Sequence, residues 1–114
     1  MTEVDRLALT IASNRDVSSD SAFSSVVAVE GEIDLNTSPQ LGHALSEVLD
    51  EGSSQVTVDL TAVEFIDATG IGTLIAASNR AKALGGRLSL RAPSRAVRRI
   101  LDILHLNQDL ARDG

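Results

Sequence analysis

The order of secondary structure is clearest in residues 55–92, which read QVTVDLTAVEFIDATGIGTLIAASNRAKALGGRLSLRA. Apolar residues alternate at Val56, Val58 and Leu60, as expected of a strand with one buried face. The apolar residues that follow recur at helical spacing, and RLSL at 87–90 alternates again. The segment therefore predicts a strand, a helix and a second strand, an order that favours parallel strands joined by right-handed crossovers.

The residues before this segment continue the same order. RLALTIA at 6–12 and SVVAVEGEID at 25–34 each predict a strand. NTSPQLGHALSEVLDEG at 36–52 predicts an amphipathic helix, with Thr37 or Ser38 as its N-cap, a proline in its first turn and a glycine beyond its end.

Two further segments complete the predicted fold. SNRDVSSDSAFSS at 13–25 is rich in Ser, Asp and Asn, which compete with regular structure by hydrogen-bonding to the backbone, so we predict a mobile hairpin loop there. PSRAVRRILDILHL at 93–106 carries apolar residues along one side and predicts a last helix. The predicted fold class is α/β: a single domain over residues 1–114, with a mixed β-sheet whose strands alternate with helices that cover it.

The composition excludes several classes of protein. A chain of 114 residues, 43% of them hydrophobic, suffices for one domain with one core. It has no cysteine and only two histidines, so we expect no cofactor, no metal site and no disulfide. No apolar run approaches the roughly 20 residues that cross a bilayer, and the start MTEVDRLALT is acidic where a signal peptide is basic. We therefore expect a cytoplasmic protein without membrane association.

Charge is divided unevenly along the chain, whose formal net charge is −6. Residues 1–79 contain 13 acidic residues against two basic ones, whereas residues 80–114 contain eight basic residues against three acidic ones. The basic part suggests a nucleic-acid patch, but only two aromatic residues are available to stack on bases, so we expect no nucleic-acid partner. The acidic part suits a partner protein with basic contact residues.

The turn VEFIDATGIG at 63–72 predicts a binding site, because the free N–H groups at the start of a helix favour an anion near Thr69. Gly70 and Gly72 each cost about 1 kcal/mol relative to Ala in a helix, which suggests that another backbone, such as a partner's, approaches closely. A structural interpretation stays open beside this one: Asp67 or Thr69 is an N-cap, and glycine fits the helix against the sheet. The turn lacks the third glycine of a dinucleotide fingerprint and the lysine of a P-loop.

Taken together, VVAVEGEIDLNTSPQL at 26–41 and VTVDLTAVEFIDATGIGTLIAASNRAKALGGRLSLRAPSRAVRRILDILHL at 56–106 resemble the pattern of the STAS anti-sigma factor antagonists. The shared elements are Gly-Glu-Ile-Asp at an early strand end, an Asp-x-Thr-Gly-Ile-Gly turn, Gly-Gly before the next strand and the final helix. The resemblance implies a protein that binds an anti-sigma factor, usually a Ser/Thr kinase, and thereby frees a sigma factor for transcription. Phosphorylation by the same kinase reverses this binding in the family.

The resemblance also implies a partner-binding surface, with the loop after the first aspartate lying beside the turn. The implied residues are Asp34, Asp67, Ala68, Thr69, Gly70, Ile71 and Gly72. Among them we expect Ile71 and the backbone of Gly70 and Gly72 to form the centre of the contact. Gly70→Arg should then abolish binding and leave the fold intact.

One position departs from the family pattern. The usual phosphoacceptor is the serine directly after the turn aspartate, and this chain has Ala68 there. Thr69 is the remaining candidate acceptor, although moving one residue along a helix swings a side chain by about 100°.

Three hypotheses follow: an antagonist that is always competent, an antagonist switched at Thr69, or a STAS scaffold or sensor module with a different protein partner. We expect no enzyme, because the possible carboxylate pair of Asp34 and Asp67 lacks a nucleophile, a metal set or a phosphate loop.

Overall fold

Strands and helices alternate in the computed structural model, which describes residues 8–15, 23–91, 94–95, 97–99 and 111–113. The elements in chain order are β1 (Ala8–Arg15), β2 (Phe23–Ile33), α1 (Ser38–Asp50), β3 (Gln55–Ile66), α2 (Ala68–Ala83), β4 (Arg87–Arg91) and β5 (Ala111–Asp113). Among the described residues, no helix has both the length and the apolar content needed to cross a membrane.

The strands form one mixed sheet in the order β1-β2-β3-β4-β5. β1 and β2 are antiparallel, and every later neighbour is parallel to the strand before it. Each parallel pair from β2 to β4 is joined through a helix, since α1 connects β2 to β3 and α2 connects β3 to β4. The structure therefore confirms the predicted α/β class and mixed sheet. It adds β5, a three-residue strand whose sequence, ARD, has no apolar alternation to indicate it.

The core lies between the sheet and the two helices, which contact each other and the strands beneath them. Each fully buried Val, Leu or Ile side chain contributes about 1.5–3 kcal/mol to folding. The inward side chains of β3 are spaced by two residues and then by three: Val56, Val58, Leu60, Val63 and Ile66. The longer spacing arises from two register shifts against β2, each of which gives β3 one extra residue.

The ends of α1 follow the predicted signals. Thr37 is the N-cap residue, proline lies in the first turn, and Gly52 adopts φ 103° just beyond the helix, where a side chain would be strained. The Thr37 side chain makes no capping hydrogen bond, because its hydroxyl is used in the preceding loop.

One sequence prediction changes at its edges. The loop predicted over 13–25 is too long, because 13–15 pair with 23–25 as the last residues of β1 and the first of β2. Backbone ladder bonds there outweigh the local preference of Ser and Asn for turns. Residues 16–22, the rest of that loop, lie outside the described residues.

The last predicted helix, over 93–106, falls largely outside the described residues. Residues 95 and 97–99 are helical. The Ser94 hydroxyl accepts a hydrogen bond from the Val97 N–H (3.2 Å), and the Arg98 N–H donates to the Ser94 carbonyl (2.8 Å). These contacts start a helix at Ser94.

Candidate functional site

Two chain turns meet at the edge of the sheet where β2 and β3 end. Ile33 ends β2 and is paired with Ile66, which ends β3. The Asp67 N–H then donates to the Ile33 carbonyl (3.0 Å), which fixes the β3–α2 turn beside the β2–α1 loop. Parallel pairing thus brings Asp34 and Asp67 to adjacent strand ends, as the sequence analysis expected of the loop after Asp34.

Asp67 is the N-cap of α2. Its carboxylate accepts hydrogen bonds from the Thr69 hydroxyl and from the Gly70 N–H (3.1 Å). These two bonds, with further backbone N–H contacts from Thr69 and Leu35, lower the pKa of Asp67 because they favour its charged form. Of the two N-cap candidates from the sequence, the structure selects Asp67.

The capping role of Asp67 changes the predicted anion site. The first N–H groups of α2, expected to attract an anion near Thr69, already face the Asp67 carboxylate. The lowered pKa also makes Asp67 a poor proton donor near neutral pH. The turn is therefore better suited to presenting side chains than to holding an anion.

Asp34 organises the loop between β2 and α1. Its carboxylate accepts from the Asn36 N–H (2.9 Å) and the Thr37 N–H (3.0 Å), and its N–H donates to the Thr37 hydroxyl (2.9 Å). The Thr37 hydroxyl donates in turn to the Glu32 carbonyl (2.7 Å). The loop is held by its own backbone and side chains, so it presents a defined surface beside the α2 turn.

Burial divides the predicted contact residues into two groups. Ala68, Thr69 and Gly72 are exposed, whereas Gly70 is buried and Ile71 is only 3% exposed. The first turn of α2 directs Gly70 and Ile71 into the core, so only Gly72 of the predicted contact centre (Ile71 with the backbone of Gly70 and Gly72) is exposed.

Gly70 is required for packing. A Cβ at Gly70 would lie 2.6 Å from both Ile33 Cγ2 and Ile66 Cγ1, so glycine fits the helix against the strand ends. This close approach argues against the expectation that Gly70→Arg leaves the fold intact, because any side chain at Gly70 would overlap Ile33 and Ile66. A Cβ at Gly72 would meet nothing within 4 Å, which leaves Gly72 as the glycine open to a partner.

Two exposed apolar side chains at this edge were not predicted from the sequence. Leu35 follows Asp34 and is 70% exposed, and Phe65 near the end of β3 is 46% exposed. Leu35 belongs to the loop that the hydrogen bond from the Asp67 N–H to the Ile33 carbonyl holds beside the α2 turn. A leucine outside any helical or strand pattern, between Asp34 and the helix start, was the available signal.

Four carboxylates occur at or near the same two strand ends. Glu32 and Glu64 are exposed, and Asp34 and Asp67 are partly exposed. Within the described ranges, none of the four forms an ion pair. The edge is therefore acidic, and Arg95 lines the same cavity as Glu64.

Comparison with known proteins assigns the family. The model for the Mlab-type STAS domain matches residues 17–112, which is most of the chain. The chain belongs to the STAS family. Its sequence is similar to the anti-sigma-F factor antagonist RsfB of Mycobacterium tuberculosis, with 32% identity over 80 residues that cover 70% of this chain and 60% of RsfB. It is 31% identical to the anti-sigma-B factor antagonist of Bacillus subtilis, over 70% of this chain and 72% of the relative.

Solved STAS structures share the fold. An anti-sigma factor antagonist from Mycobacterium paratuberculosis superposes with a TM-score of 0.74 at 28% identity, covering 92% of this chain and 85% of that one. The unphosphorylated form of the anti-sigma factor antagonist SpoIIAA superposes with a TM-score of 0.73 at 19% identity, covering 94% of this chain and 89% of that one. The matched part spans about 60% of the length of the M. tuberculosis relative.

Proposed function

We propose that this STAS domain is an anti-sigma factor antagonist: it binds an anti-sigma factor of the Ser/Thr kinase type and thereby releases a sigma factor for transcription. The observation that carries the proposal is the exposed start of α2 held against the β2–α1 loop, in a chain whose curated relatives are named anti-sigma factor antagonists. We call the exposed and partly exposed residues of this edge the antagonist surface, namely Asp34, Leu35, Asp67, Ala68, Thr69 and Gly72.

Ala68 makes the antagonist always competent. It is the first residue of α2 and is exposed, at the position where the family resemblance expects the phosphorylated serine, and its methyl group accepts no phosphate. No added charge at this position then switches binding off.

Thr69 is the weaker candidate for a switch. Its hydroxyl is exposed but donates to the Asp67 carboxylate. A phosphate there would replace this donor by about −1.5 to −2 charges beside a carboxylate whose pKa is already lowered. Like-charge repulsion therefore disfavours modification of Thr69, which supports the always-competent form.

Incubation with ATP and each purified anti-sigma kinase from the same genome tests the function. Complex formation and intact mass are recorded together. We expect a complex with no change in mass. A gain of one phosphate that disappears in Thr69→Ala would show a switch at Thr69, and absence of both complex and phosphate with every kinase would favour a scaffold or sensor module.

Gly72→Arg tests the surface. Gly72 is exposed, with open space where a side chain would start, so arginine should block the partner while the fold persists. Ala83→Arg is the matched control, because it adds the same side chain to an exposed position at the far end of α2. We expect loss of the complex in Gly72→Arg alone. Wild-type affinity in Gly72→Arg would show that the partner binds elsewhere.

A further inference from the structure

Leu35 is the most exposed large hydrophobic side chain among the described residues, at 70%. An exposed leucine gains no stabilisation from burial, so a polar residue would serve the fold equally well at this position. A single exposed leucine is nevertheless common on protein surfaces. Its position is what distinguishes it: it follows Asp34 in the loop that the hydrogen bond from the Asp67 N–H to the Ile33 carbonyl (3.0 Å) holds beside the start of α2.

The backbone that carries Leu35 is held in place before any partner arrives. The Thr37 hydroxyl bridges the Asp34 N–H and the Glu32 carbonyl, the Asp34 carboxylate accepts from two N–H groups of the loop, and Thr37 is buried. A side chain on a fixed loop loses little entropy on binding, which is typical of residues that dominate binding energy.

The surroundings define the complementary partner. Glu32, Asp34, Glu64 and Asp67 lie at the same strand ends and make no ion pairs within the part of the chain that is described. An exposed apolar side chain at an edge of the sheet that carries several carboxylates matches an apolar cleft bordered by Lys or Arg. Basic residues at the rim raise the association rate, while the buried leucine slows dissociation.

We propose that Leu35 is the apolar anchor of the antagonist surface and inserts into an apolar cleft, rimmed by basic side chains, on the protein partner. This inference rests on the proposed function for the identity of the partner as an anti-sigma factor. It assigns the anchor to the β2–α1 loop, so that α2 supplies only the adjoining part of the contact.

Leu35→Ala and Leu84→Ala form a matched pair of variants. Leu84 follows α2 at its far end and is also exposed, at 54%, so the two changes remove the same atoms from two exposed sites. With a purified anti-sigma kinase that binds the wild type, we expect Leu35→Ala to weaken the complex at least about 30-fold and Leu84→Ala to leave it unchanged. Equal urea midpoints for all three proteins show that the fold is retained.

Glu64→Lys tests whether the carboxylates near Leu35 attract a basic partner. Glu51→Lys is its control, because Glu51 lies at the end of α1 that is far from the loop. We expect Glu64→Lys to lower the association rate about tenfold in 20 mM NaCl, with the difference shrinking in 300 mM NaCl. Glu51→Lys should change neither rate. Equal association rates for Glu64→Lys and wild type at both salt concentrations contradict the basic rim.

The outcomes separate this inference from the proposed function. If Gly72→Arg abolishes the complex and Leu35→Ala binds as wild type, the antagonist surface stands and the anchor is wrong. If no anti-sigma kinase binds, the proposed function fails, and the anchor is tested by NMR titration with a synthetic amphipathic Lys–Leu peptide. Amide shifts centred on Leu35 that vanish in Leu35→Ala support the anchor, whereas shifts elsewhere, or none, overturn it.

Discussion

At the scale of single residues, Gly70 and Gly72 lie in the same helix turn but have different roles. Gly70 faces Ile33 and Ile66, where a Cβ would overlap both side chains at 2.6 Å. Gly72 faces open space. The first glycine is needed for packing, whereas the second weakens the helix without a contact of its own in the described part of the molecule, which fits a site kept open for a partner.

Alanine substitution at these two glycines should change stability in opposite directions. Gly70→Ala should lower the free energy of unfolding by about 1–3 kcal/mol, because the added methyl group overpacks the strand ends. Gly72→Ala should raise it by up to about 1 kcal/mol, because alanine favours the helix and meets no neighbour. Urea denaturation followed by circular dichroism measures both. A stabilised Gly70→Ala would disprove the packing role.

At the scale of elements, the β2–α1 loop depends on one hydroxyl. Thr37 is 1% exposed, and its hydroxyl accepts from the Asp34 N–H and donates to the Glu32 carbonyl. Thr37 is also the N-cap of α1, so the loop ends and the helix begins at this one residue. This arrangement fixes the shape of the loop that carries Leu35, while the pairing of β2 with β3 places that loop beside Asp67.

Thr37→Val should therefore destabilise the protein more than Thr37→Ser. Valine keeps the shape but leaves two backbone groups without their partner, which costs about 1–3 kcal/mol. Serine keeps the hydroxyl and removes one methyl group, a loss of roughly 0.8 kcal/mol. Chemical denaturation of the two variants gives both values. An equal loss in the two would mean that the hydroxyl contributes no net stability.

At the scale of the whole molecule, the carboxylates of Asp59 in β3 and of Asp67 at the start of α2 link stability to pH. The Thr69 hydroxyl and the Gly70 N–H lower the pKa of Asp67, and the Thr61 side chain and N–H lower the pKa of Asp59. A depressed folded-state pKa means that the charged form stabilises the fold. That stabilisation is complete above the unfolded value of about 3.9 and is lost as the pH falls through the folded-state pKa.

Asp67→Asn isolates the charge, because asparagine is also a good N-cap. We expect the wild type to be more stable than Asp67→Asn at pH 7, and the difference to shrink as the pH falls below about 4. Urea midpoints measured between pH 3 and pH 7 follow this difference. A gap that stays constant over this range would show that the Asp67 charge does not contribute.

The helices, strands and fold class were largely predictable from the sequence, because hydrophobic spacing depends only on which face of an element is buried. The Val56, Val58 and Leu60 alternation, the α1 caps and the strand–helix order all needed no distant contact. The two-residue apolar spacing of a strand did not hold where pairing with a neighbouring strand changed the register. β3 changes from two-residue to three-residue spacing after Leu60, because its register shifts are made against β2.

The candidate site was predictable only as a region. The sequence indicated the turn at 67–72, with Asp34 as its neighbour, but a one-dimensional pattern does not give the direction in which each residue of a first helical turn points. The packing of α2 on Ile33 and Ile66 decided that Gly70 and Ile71 are buried and Gly72 is open. The exposure of Leu35 was decided likewise, because parallel pairing of β2 and β3 alone brings its loop to Asp67, 32 residues along the chain.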